Sequence, residues 1–409
     1  MMPSRTAPSA LQIIVLASTL DDDGGIPVCV ARLAEGLHAI GVDVEVGGQY
    51  AGARMAPVVE ELQAATGVPV FAVRRPWSVP GQIAAARAIG HFIGDRARTA
   101  RIADRRVVVH AHGVWVAPVV AAVRAACAAG AGVVISPHGM LRHDALRKSP
   151  IRKRIALATA VREMVAAAGT IHATSPAEAD ELRATFPGCT PVIVPLGIES
   201  IAAPVRAAIG EEHVRTAGYL GRILPIKNLE MLLDGWAAAR PRGWQLVVAG
   251  PGEPDYVATL ESRTRALGIM AEVTFQPAVA HDRIAEFLSQ LDLFVLPSRS
   301  EAFSLIVGEA LACGTPAIVS TAAPWEGILE ARCGWWVAPR LPDLTAAIQS
   351  ATAHEPAELA AMGRRGRNWV RDEYDWKRIA RRHLDELYAP SLGVSGRRGR
   401  PTLPESPSP

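Results

Sequence analysis

Two glutamates, Glu301 and Glu309, are separated by seven residues in S-R-S-E-A-F-S-L-I-V-G-E-A-L-A-C-G-T-P, residues 298–316. The segment follows the apolar run L-F-V-L-P, and Ser304 is the predicted N-cap of a helix. Free N–H groups at a helix start, together with the positive end of its dipole, suit a phosphate or a developing negative charge. The two carboxylates could hydrogen-bond different parts of one polyhydroxy ligand. The alternative is a first-turn capping acid and a solvated helix residue.

A second candidate site lies in G-Y-L-G-R-I-L-P-I-K-N, residues 218–228. Glycines allow a sharp turn after a predicted strand, and Arg222 and Lys227 are five positions apart in the loop that follows. Arginine offers a bidentate fork and lysine a mobile point charge, so the pair could bind one diphosphate. Two ordinary exposed cations are the alternative.

The first strand-to-helix loop reads T-L-D-D-D-G-G-I-P, residues 19–27. Gly24 and Gly25 would permit close backbone approach of a ligand, and Pro27 suits a first helical turn. The loop lacks the spacing of a dinucleotide fingerprint, and its three aspartates disfavour a main phosphate cradle. Contact with a polyol acceptor and a plain solvated turn are the two interpretations.

His138 in S-P-H-G-M-L, residues 136–141, follows a predicted buried strand, where parallel sheets place ligands. His110 and His112 end the preceding strand. Three histidines could suggest zinc, but the neighbouring sequence contains no cysteine or carboxylate to complete a ligand set. We therefore predict satisfied polar residues at strand ends and no metal site.

A basic run spans residues 142–154, with six Arg or Lys against Asp144 alone. Such a run could meet an anionic membrane surface or a lipid diphosphate acceptor. A solvated helix face is the alternative.

Short apolar runs alternate with Ala- and Leu-rich segments of helical length along the whole chain. This alternation predicts parallel sheets covered on both faces by helices. It pauses at 197–214, which we interpret as a linker. The predicted first-half strands are 11–18, 42–46, 68–73, 107–112, 133–136, 170–174 and 192–195, and those of the second half are 216–219, 245–248, 273–276, 293–296 and 317–320.

The 409 residues suit two domains at roughly 100–200 residues each. We predict two doubly wound Rossmann-like α/β domains in series, at 1–200 and 201–370, with the ligand in a cleft between them. A C-terminal helix at 371–389 would return to the first domain. The tail at 390–409, rich in Pro, Ser, Gly and Arg, is predicted to be disordered.

Charge and cysteine content exclude several classes. Forty-three Lys plus Arg against forty Asp plus Glu leave +3, so a nucleic-acid-binding surface is not expected. Five scattered cysteines without a CxxC pair disfavour a disulfide framework and fit a reducing cytoplasm. We find neither a signal peptide nor a transmembrane stretch, so the prediction is a cytoplasmic protein, with peripheral membrane contact left open.

In combination, these motifs resemble the retaining glycosyltransferases of the GT4 type, which have the GT-B fold. The resemblance runs from about Leu11 to Tyr388. It is carried mainly by E-A-F-S-L-I-V-G-E and G-R-I-L-P-I-K-N, with support from the GG loop, S-P-H-G-M-L, H-A-T-S-P-A-E and A-C-G-T-P. The segments H-A-T-S, P-W-E-G-I and G-W-W-V resemble bacterial members that build exopolysaccharide or lipopolysaccharide.

The resemblance implies roles for these residues. Arg222 and Lys227 would neutralise the diphosphate of a nucleotide sugar, so that no metal or other cofactor is needed, and preorganised cations there would accelerate its departure. Glu309 would hydrogen-bond the ribose and Glu301 the donor sugar. His138 would lie near the transferring sugar and acceptor. Gly25, from the GG loop with Gly24, would approach the diphosphate, and sugar hydroxyls and phosphate would be cradled by the N–H groups of Phe303, Ser304 and Leu305.

One position departs from the family pattern, which commonly has glycine where Ser304 stands. A glycine-only backbone conformation there would alter donor geometry, whereas a serine N-cap would not. The expected partners are a nucleotide-sugar donor and a glycan or lipid-linked acceptor. The alternatives are a nucleotide-sugar 2-epimerase or hydrolase of the same architecture, and a non-catalytic nucleotide-sugar-binding protein.

Overall fold

The computed structural model describes residues 11–21, 24–75, 78–142, 150–199 and 214–392. Most of the predicted linker, part of the basic run and nearly all of the predicted disordered tail lie outside these residues. The chain forms two compact units. One is Met1–Gly197 together with Trp376–Pro409, and the other is Ile198–Asp375.

The first unit contains a seven-stranded sheet of order β3-β2-β1-β4-β5-β6-β7, in which all pairings are parallel. Its central strands are buried along nearly their whole length because helices cover both faces of the sheet. Ile13, Val108 and Ile135 are fully buried. The strands are β1 (Leu11–Ala17), β2 (Asp43–Tyr50), β3 (Val70–Arg74), β4 (Arg106–His112), β5 (Gly132–Ser136), β6 (Thr170–Ala173) and β7 (Val192–Ile193).

The helices of this unit lie between its strands, as parallel crossovers require. They are α1 (Gly25–Ala39), α2 (Pro57–Thr66), α3 (Val79–Ile102), α4 (Ala117–Ala128), α5 (Pro150–Ala156), α6 (Arg162–Ala167) and α7 (Pro176–Thr185). A π-helical turn, Leu157–Val161, joins α5 to α6.

The second unit contains a six-stranded parallel sheet of order β10-β9-β8-β11-β12-β13. Its strands are β8 (Arg215–Leu220), β9 (Trp244–Ala249), β10 (Val273–Gln276), β11 (Leu293–Leu296), β12 (Ala317–Ser320) and β13 (Gly334–Val337). Its helices are α8 (Leu229–Ala239), α9 (Pro254–Ala266), α10 (Ile284–Gln290), α11 (Leu305–Ala312), α12 (Gly327–Glu330), α13 (Leu341–Ala353) and α14 (Pro356–Tyr374), with 3-10 turns at Pro225–Lys227 and His281–Arg283.

The C-terminal segment belongs to the first unit. It comprises α15 (Trp376–Arg382), a π-helical turn (His383–Tyr388) and α16 (Ala389–Ser391). α15 packs closely on α1 at Gly36. A Cβ at this position would lie only 2.7 Å from the Trp376 carbonyl oxygen, so there is no room for a side chain between the helices. Tyr388 is fully buried.

The expected α/β architecture is confirmed, with differences at element ends. β13 was not predicted, because its two tryptophans, Trp335 and Trp336, interrupt the aliphatic pattern on which the strand predictions depend. The boundary expected at 370/371 falls inside α14, and the helix breaks at Asp375 instead. Trp369 and Tyr374 consequently pack in the second unit, with ring centroids 6.0 and 5.2 Å from that of Trp325.

Two helical glycines of the second unit provide a matched test of packing. A Cβ at Gly363 in α14 would lie 1.8 Å from the Gly314 carbonyl oxygen, whereas one at Gly235 in α8 would make ordinary contacts of 3.5 Å with Leu344 and Ile348. Gly363→Ala should lower the free energy of unfolding by about 1–3 kcal/mol through overpacking. Gly235→Ala should raise it by about 0.5–1 kcal/mol through helix propensity. Equal urea midpoints for the two variants would contradict this packing.

Candidate active site

In the second unit, two loops at the carboxyl end of the sheet are joined by an ion pair. Lys227, in the loop after β8, places its Nζ 2.6 Å from Glu301 Oε1, in the loop after β11. Ser298 Oγ donates to the same carboxylate oxygen at 2.6 Å. The two predicted motifs therefore meet, and Lys227 and Glu301 are both largely buried, with side chains 20% and 10% exposed.

Asn228 also holds these loops together. Its backbone is left-handed, with φ of 59°, and its buried side-chain amide donates to the Pro297 carbonyl at 3.2 Å. The Arg299 amide donates back to the Ile226 carbonyl at 2.9 Å. Asn228 thus sets the position from which Lys227 reaches Glu301, a role that sequence reasoning missed. Asparagine at the end of the loop was the available signal, since it tolerates the left-handed region better than most residues.

Arg222 is placed differently from Lys227. It is exposed, and its guanidinium makes no hydrogen bond or ion pair with the described residues. Tyr219, fully buried, donates its hydroxyl to the Arg222 carbonyl at 2.8 Å and so anchors the backbone of the loop. The loop therefore carries two cations, Lys227 in an ion pair with Glu301 and Arg222 with a solvent-facing side chain.

α11 begins at Leu305 after an unusual residue. Ser304 occupies the N-cap position, as predicted, but the expectation that its side chain caps the helix is wrong. Its φ of 73° and ψ of 79° place it in the left-handed region, from which its side chain makes no capping hydrogen bond. The first helical amides have no intrahelical acceptor. The chain before it is anchored by Trp325, which donates its indole N–H to the Phe303 carbonyl at 2.8 Å.

Glu309 lies inside α11, partly buried, with its pKa raised to about 7. Burial is the main cause, because it disfavours the charged carboxylate. The like charge of exposed Glu199 adds to the effect. Glu309 therefore changes charge near neutral pH.

In the first unit, four polar side chains form a directional hydrogen-bond chain under the sheet edge. His172 Nε2 faces the Val194 carbonyl at 2.7 Å, so it carries the proton and Nδ1 must accept. Ser136 Oγ donates to that Nδ1 at 2.5 Å and accepts from His110 Nε2 at 2.6 Å. His110 Nδ1 then accepts from Tyr388 Oη at 2.9 Å. The chain joins β4, β5 and β6 to the C-terminal segment.

His138 lies beside this chain, in the left-handed region with φ of 53°. Its Nε2 is 2.7 Å from His112 Nδ1, and burial lowers its pKa to about 4 although the Glu178 carboxylate acts in the opposite direction. Glu178 also supports the loop, because its carboxylate accepts from the Gly139 amide at 2.6 Å and from both the amide and hydroxyl of Thr174. Sequence reasoning missed Glu178, although its place three residues after Ser175 fits a capping pattern.

The statement that no cysteine accompanies these histidines is corrected by the fold. Cys29 in α1 brings its Sγ within 4.8 Å of ligand nitrogens of His112 and His138. Cys29 is distant in sequence, and only the pairing of β1 with β4 brings it here. Gly24, at the start of the same helix, is exposed, and a Cβ there would meet nothing within 4 Å.

The family comparisons agree with this architecture. Residues 24–197 match the glycosyl transferase 4-like domain, and residues 206–369 match the family described as glycosyl transferases group 1. The chain therefore belongs to the GT4-like glycosyltransferases of group 1, and its fold is GT-B. It is a glycosyltransferase enzyme, which favours that prediction over an epimerase or a non-catalytic binding protein.

Relatives of known name are consistent with this membership. D-inositol 3-phosphate glycosyltransferase 1 of Catenulispora acidiphila is 29% identical, over 93% of each chain. Among solved structures, Anabaena Alr3699/HepE in complex with UDP-glucose has a TM-score of 0.70 at 17% identity, covering 92% of this chain and 99% of that one. WaaG, a glycosyltransferase involved in lipopolysaccharide biosynthesis, has a TM-score of 0.59 at 15% identity. The match covers 94% of this chain and 100% of that one.

The buried histidines predict a pH-dependent stability. Burial lowers the pKa of His110, His112, His172 and His383 below 6.5, and that of His138 to about 4. A depressed histidine pKa means that the unfolded chain binds more protons, so stability is complete above about pH 6.5 and is lost as pH falls. Each fully neutral histidine contributes a slope of about 1.4 kcal/mol per pH unit below that point.

His383→Asn isolates one of these contributions. Asparagine cannot titrate but can still donate to the Ile379 carbonyl, which His383 Nδ1 contacts at 2.9 Å. Urea denaturation at pH 7 and pH 5 should lose less free energy in this variant than in wild type, by about 1–2 kcal/mol. Exposed His38→Asn, the control in the same unit, should keep the wild-type slope. An unchanged slope in His383→Asn would show that this histidine is protonated in the folded state.

Proposed function

We propose that the protein transfers a sugar, with retention of anomeric configuration, from a nucleotide diphosphate sugar to a glycan or lipid-linked acceptor in exopolysaccharide or lipopolysaccharide synthesis. The observation that carries the proposal is the ion pair between Lys227 Nζ and Glu301 Oε1, 2.6 Å apart, in the loops beside the start of α11. It supplies a cation and a hydroxyl-binding carboxylate in one place. A UDP-hexose is the first donor to test, because the Anabaena structure is in complex with UDP-glucose.

Lys227 can serve the diphosphate without releasing Glu301. An ammonium group has three donors, so one can bind the carboxylate while others bind phosphate oxygens. Arg222, with its solvent-facing guanidinium, would bind from the same loop. Negative charge increases on the diphosphate as the glycosidic bond breaks, and preorganised cations stabilise that change more than they stabilise the bound donor. No metal cofactor is proposed for this step.

Backbone amides of Phe303, Ser304 and Leu305 would add neutral donors to the same site. The left-handed backbone of Ser304, with φ of 73°, turns the chain just before α11. Glu301, already oriented by Lys227 and Ser298, would accept hydrogen bonds from sugar hydroxyls through its carboxylate. The polar groups are thus held by the protein before the donor arrives, which reduces the cost of ordering them on binding.

The first unit would provide the acceptor side. The open space at Gly24 leaves room for a ligand close to the backbone, and Gly25 begins α1 beside it. His138, kept neutral by its low pKa, has an Nδ1 without a hydrogen bond to the described residues. Such a nitrogen can accept a hydrogen bond from a sugar or acceptor hydroxyl.

Loss of either cation should abolish transfer. Arg222→Ala and Lys227→Ala are each expected to lower turnover at least ~100-fold, because each removes a charge from the leaving diphosphate. Arg242→Ala, an exposed arginine elsewhere in the same unit, should keep wild-type turnover. The measurement is release of nucleoside diphosphate with donor and acceptor present. Full turnover by Arg222→Ala would contradict the assignment of Arg222 to the leaving diphosphate.

Donor incubated without acceptor is the companion measurement. A transferase should release nucleoside diphosphate only slowly under those conditions, whereas an epimerase or hydrolase would consume the donor at full rate. The anomeric configuration of the product, measured by NMR, tests retention directly.

A second acceptor class has specific support. The relative of 93% coverage is a D-inositol 3-phosphate glycosyltransferase. An inositol phosphate should therefore be assayed beside lipid-linked glycans with the same donor. Turnover with the inositol phosphate alone would replace the polysaccharide assignment while leaving the donor site intact.

Glu309 predicts a pH-dependent donor affinity. A carboxylate accepts hydrogen bonds from both ribose hydroxyls, whereas a protonated acid does so less well. With a pKa of about 7, affinity for UDP should rise about tenfold from pH 6 to pH 8. Glu309→Gln should bind UDP weakly at every pH. Its affinity profile reports the protonation of the diphosphate itself, and the wild-type profile is corrected by that contribution. After the same correction the profile of the variant is flat.

Glu199→Gln is the matched variant for this profile. Removing the like charge lowers the pKa of Glu309, so the midpoint of the affinity rise should move to lower pH. Calorimetric titration with UDP measures both effects. A midpoint that stays in place, or a flat wild-type profile, would exclude Glu309 from the ribose site.

Peripheral membrane contact is proposed for the basic run. Of that run the structure describes Arg142 and α5, where Ile151 and Ile155, one turn apart, are 74% and 62% exposed. Arg152 and Arg154 flank these isoleucines, a pattern typical of helices that lie on anionic membranes. Arg142 is less available, because its guanidinium lies 3.5 Å from Glu181. Among the described residues, no helix has the length and apolar character needed to cross a bilayer.

Vesicle cosedimentation tests this contact. Ile151→Ser/Ile155→Ser and Arg152→Gln/Arg154→Gln should each reduce binding to vesicles that contain anionic lipid by several-fold, since each removes part of the apolar or electrostatic attraction. Ile102→Ser, at an 88% exposed isoleucine in α3, is the control for general surface apolarity. Wild-type binding by the arginine variant would remove the proposed contact.

A further inference from the structure

Three ligand-type side chains converge at the carboxyl edge of the first unit's sheet. Cys29 lies in α1 after β1, His112 ends β4, and His138 follows β5. These strands are neighbours in the sheet, so topology places the residues together. We propose that Cys29, His112 and His138 bind a soft divalent cation of the zinc class, and that this cation inhibits sugar transfer. The inhibition rests on the proposed role of His138.

The separations of the ligand atoms fit a compact site. One sulfur and one nitrogen from each histidine all lie within 4.8 Å of one another. Zinc distances of about 2.3 Å to sulfur and 2.0–2.1 Å to nitrogen place the ligands of a tetrahedral site roughly 3.3–3.6 Å apart. Side-chain rotations that move the ligand atoms by about an ångström bring all three to these separations. His112 Nδ1 and His138 Nε2, which are 2.7 Å apart, must move slightly away from each other.

A buried nitrogen without a partner supplies an independent reason. His112 Nε2 is inaccessible to solvent and has no hydrogen-bond partner among the described residues. If His138 Nε2 donates to His112 Nδ1, as the proposed role of His138 requires, His112 carries its ring proton on Nε2 and that N–H has no acceptor. A buried, unsatisfied polar atom costs about 1–3 kcal/mol. The hydrogen bonding of this histidine pair is therefore incomplete without a ligand, which favours metal ligation over a purely structural role for the pair.

The ligand types select the metal. A cysteine thiolate with two neutral imidazoles suits zinc and cobalt and disfavours magnesium and calcium, which prefer oxygen. Binding exchanges the Cys29 thiol proton, released to solvent, for a sulfur–metal bond. Three protein ligands leave a fourth position for a water molecule, and His138 is the partly exposed member of the set.

The consequence for catalysis follows from His138. A neutral imidazole that binds the cation through Nε2 carries its ring proton on Nδ1, so His138 Nδ1 can no longer accept a hydrogen bond from the acceptor hydroxyl. The cation would also add positive charge beside the transferring sugar. Zinc-class metals should therefore lower turnover by occupying a catalytic residue, which differs from the metal-assisted departure of a diphosphate.

Cobalt titration tests the site without reference to activity. Metal-free full-length protein is titrated with Co²⁺ and followed by absorption. Wild type should bind one equivalent with a near-ultraviolet thiolate-to-cobalt band, which excess Zn²⁺ abolishes. Cys29→Ser should lose that band, and Cys127→Ser, at an exposed cysteine in the same unit, should keep it. The proposal fails if wild type lacks the band or if Cys29→Ser retains it.

A second variant, His112→Gln, keeps the site testable if Cys29→Ser, a substitution in the core, does not fold. Circular dichroism establishes whether Cys29→Ser folds, and His112→Gln is titrated in parallel. Stabilisation of wild type by Zn²⁺ in thermal unfolding should be absent from His112→Gln; equal stabilisation of both would overturn the site.

Transfer assays then separate the two claims. Inhibition of wild type by Zn²⁺ but not of Cys29→Ser supports the link to catalysis. Cobalt binding without inhibition keeps the metal site and contradicts the role of His138. Normal transfer without any cobalt binding overturns the metal site and leaves the proposed function standing.

Discussion

Parallel strand pairing is the constraint on which the rest of this structure depends. Every pairing within the sheets of the two units runs in the same direction, so all loops that leave strand carboxyl ends in one sheet emerge at one edge. In the second unit this brings Lys227 and Glu301, far apart in sequence, to 2.6 Å. In the first it brings Cys29, His112 and His138 together. The positions of these candidate site residues are therefore a consequence of topology.

The two edges solve the problem of buried polar groups differently. The second unit keeps charge, because a lysine and a carboxylate neutralise each other and a serine hydroxyl adds a third contact. The first unit keeps its buried histidines uncharged and satisfies two of them, His110 and His172, in a hydrogen-bond chain that runs from Tyr388 through His110 and Ser136 to His172. An ion pair suits a site that must receive an anion. A neutral network suits a site that must hold an imidazole able to accept a hydrogen bond.

Much of this could be predicted from the sequence, and the exceptions share a cause. Apolar runs predicted the sheets because strands buried on both faces need no alternation, and the Arg, Lys and Glu motifs lay in the expected loops. The side chain of Ser304 does not cap because its backbone is left-handed, whereas a capping residue is typically extended. Glu178, Asn228 and Cys29 escaped prediction because their roles depend on contacts across the sheet, which local propensity does not encode.

The central claim is that the second unit holds a diphosphate through placed cations. Calorimetric titration of wild type with UDP and with UMP at one pH and ionic strength tests it most directly. UDP should bind at least ~10-fold more tightly than UMP, because the second phosphate gains the charge-assisted contacts of Lys227 and Arg222. The Arg222→Gln/Lys227→Gln variant should lose this preference. Equal affinities for UDP and UMP in wild type would contradict it.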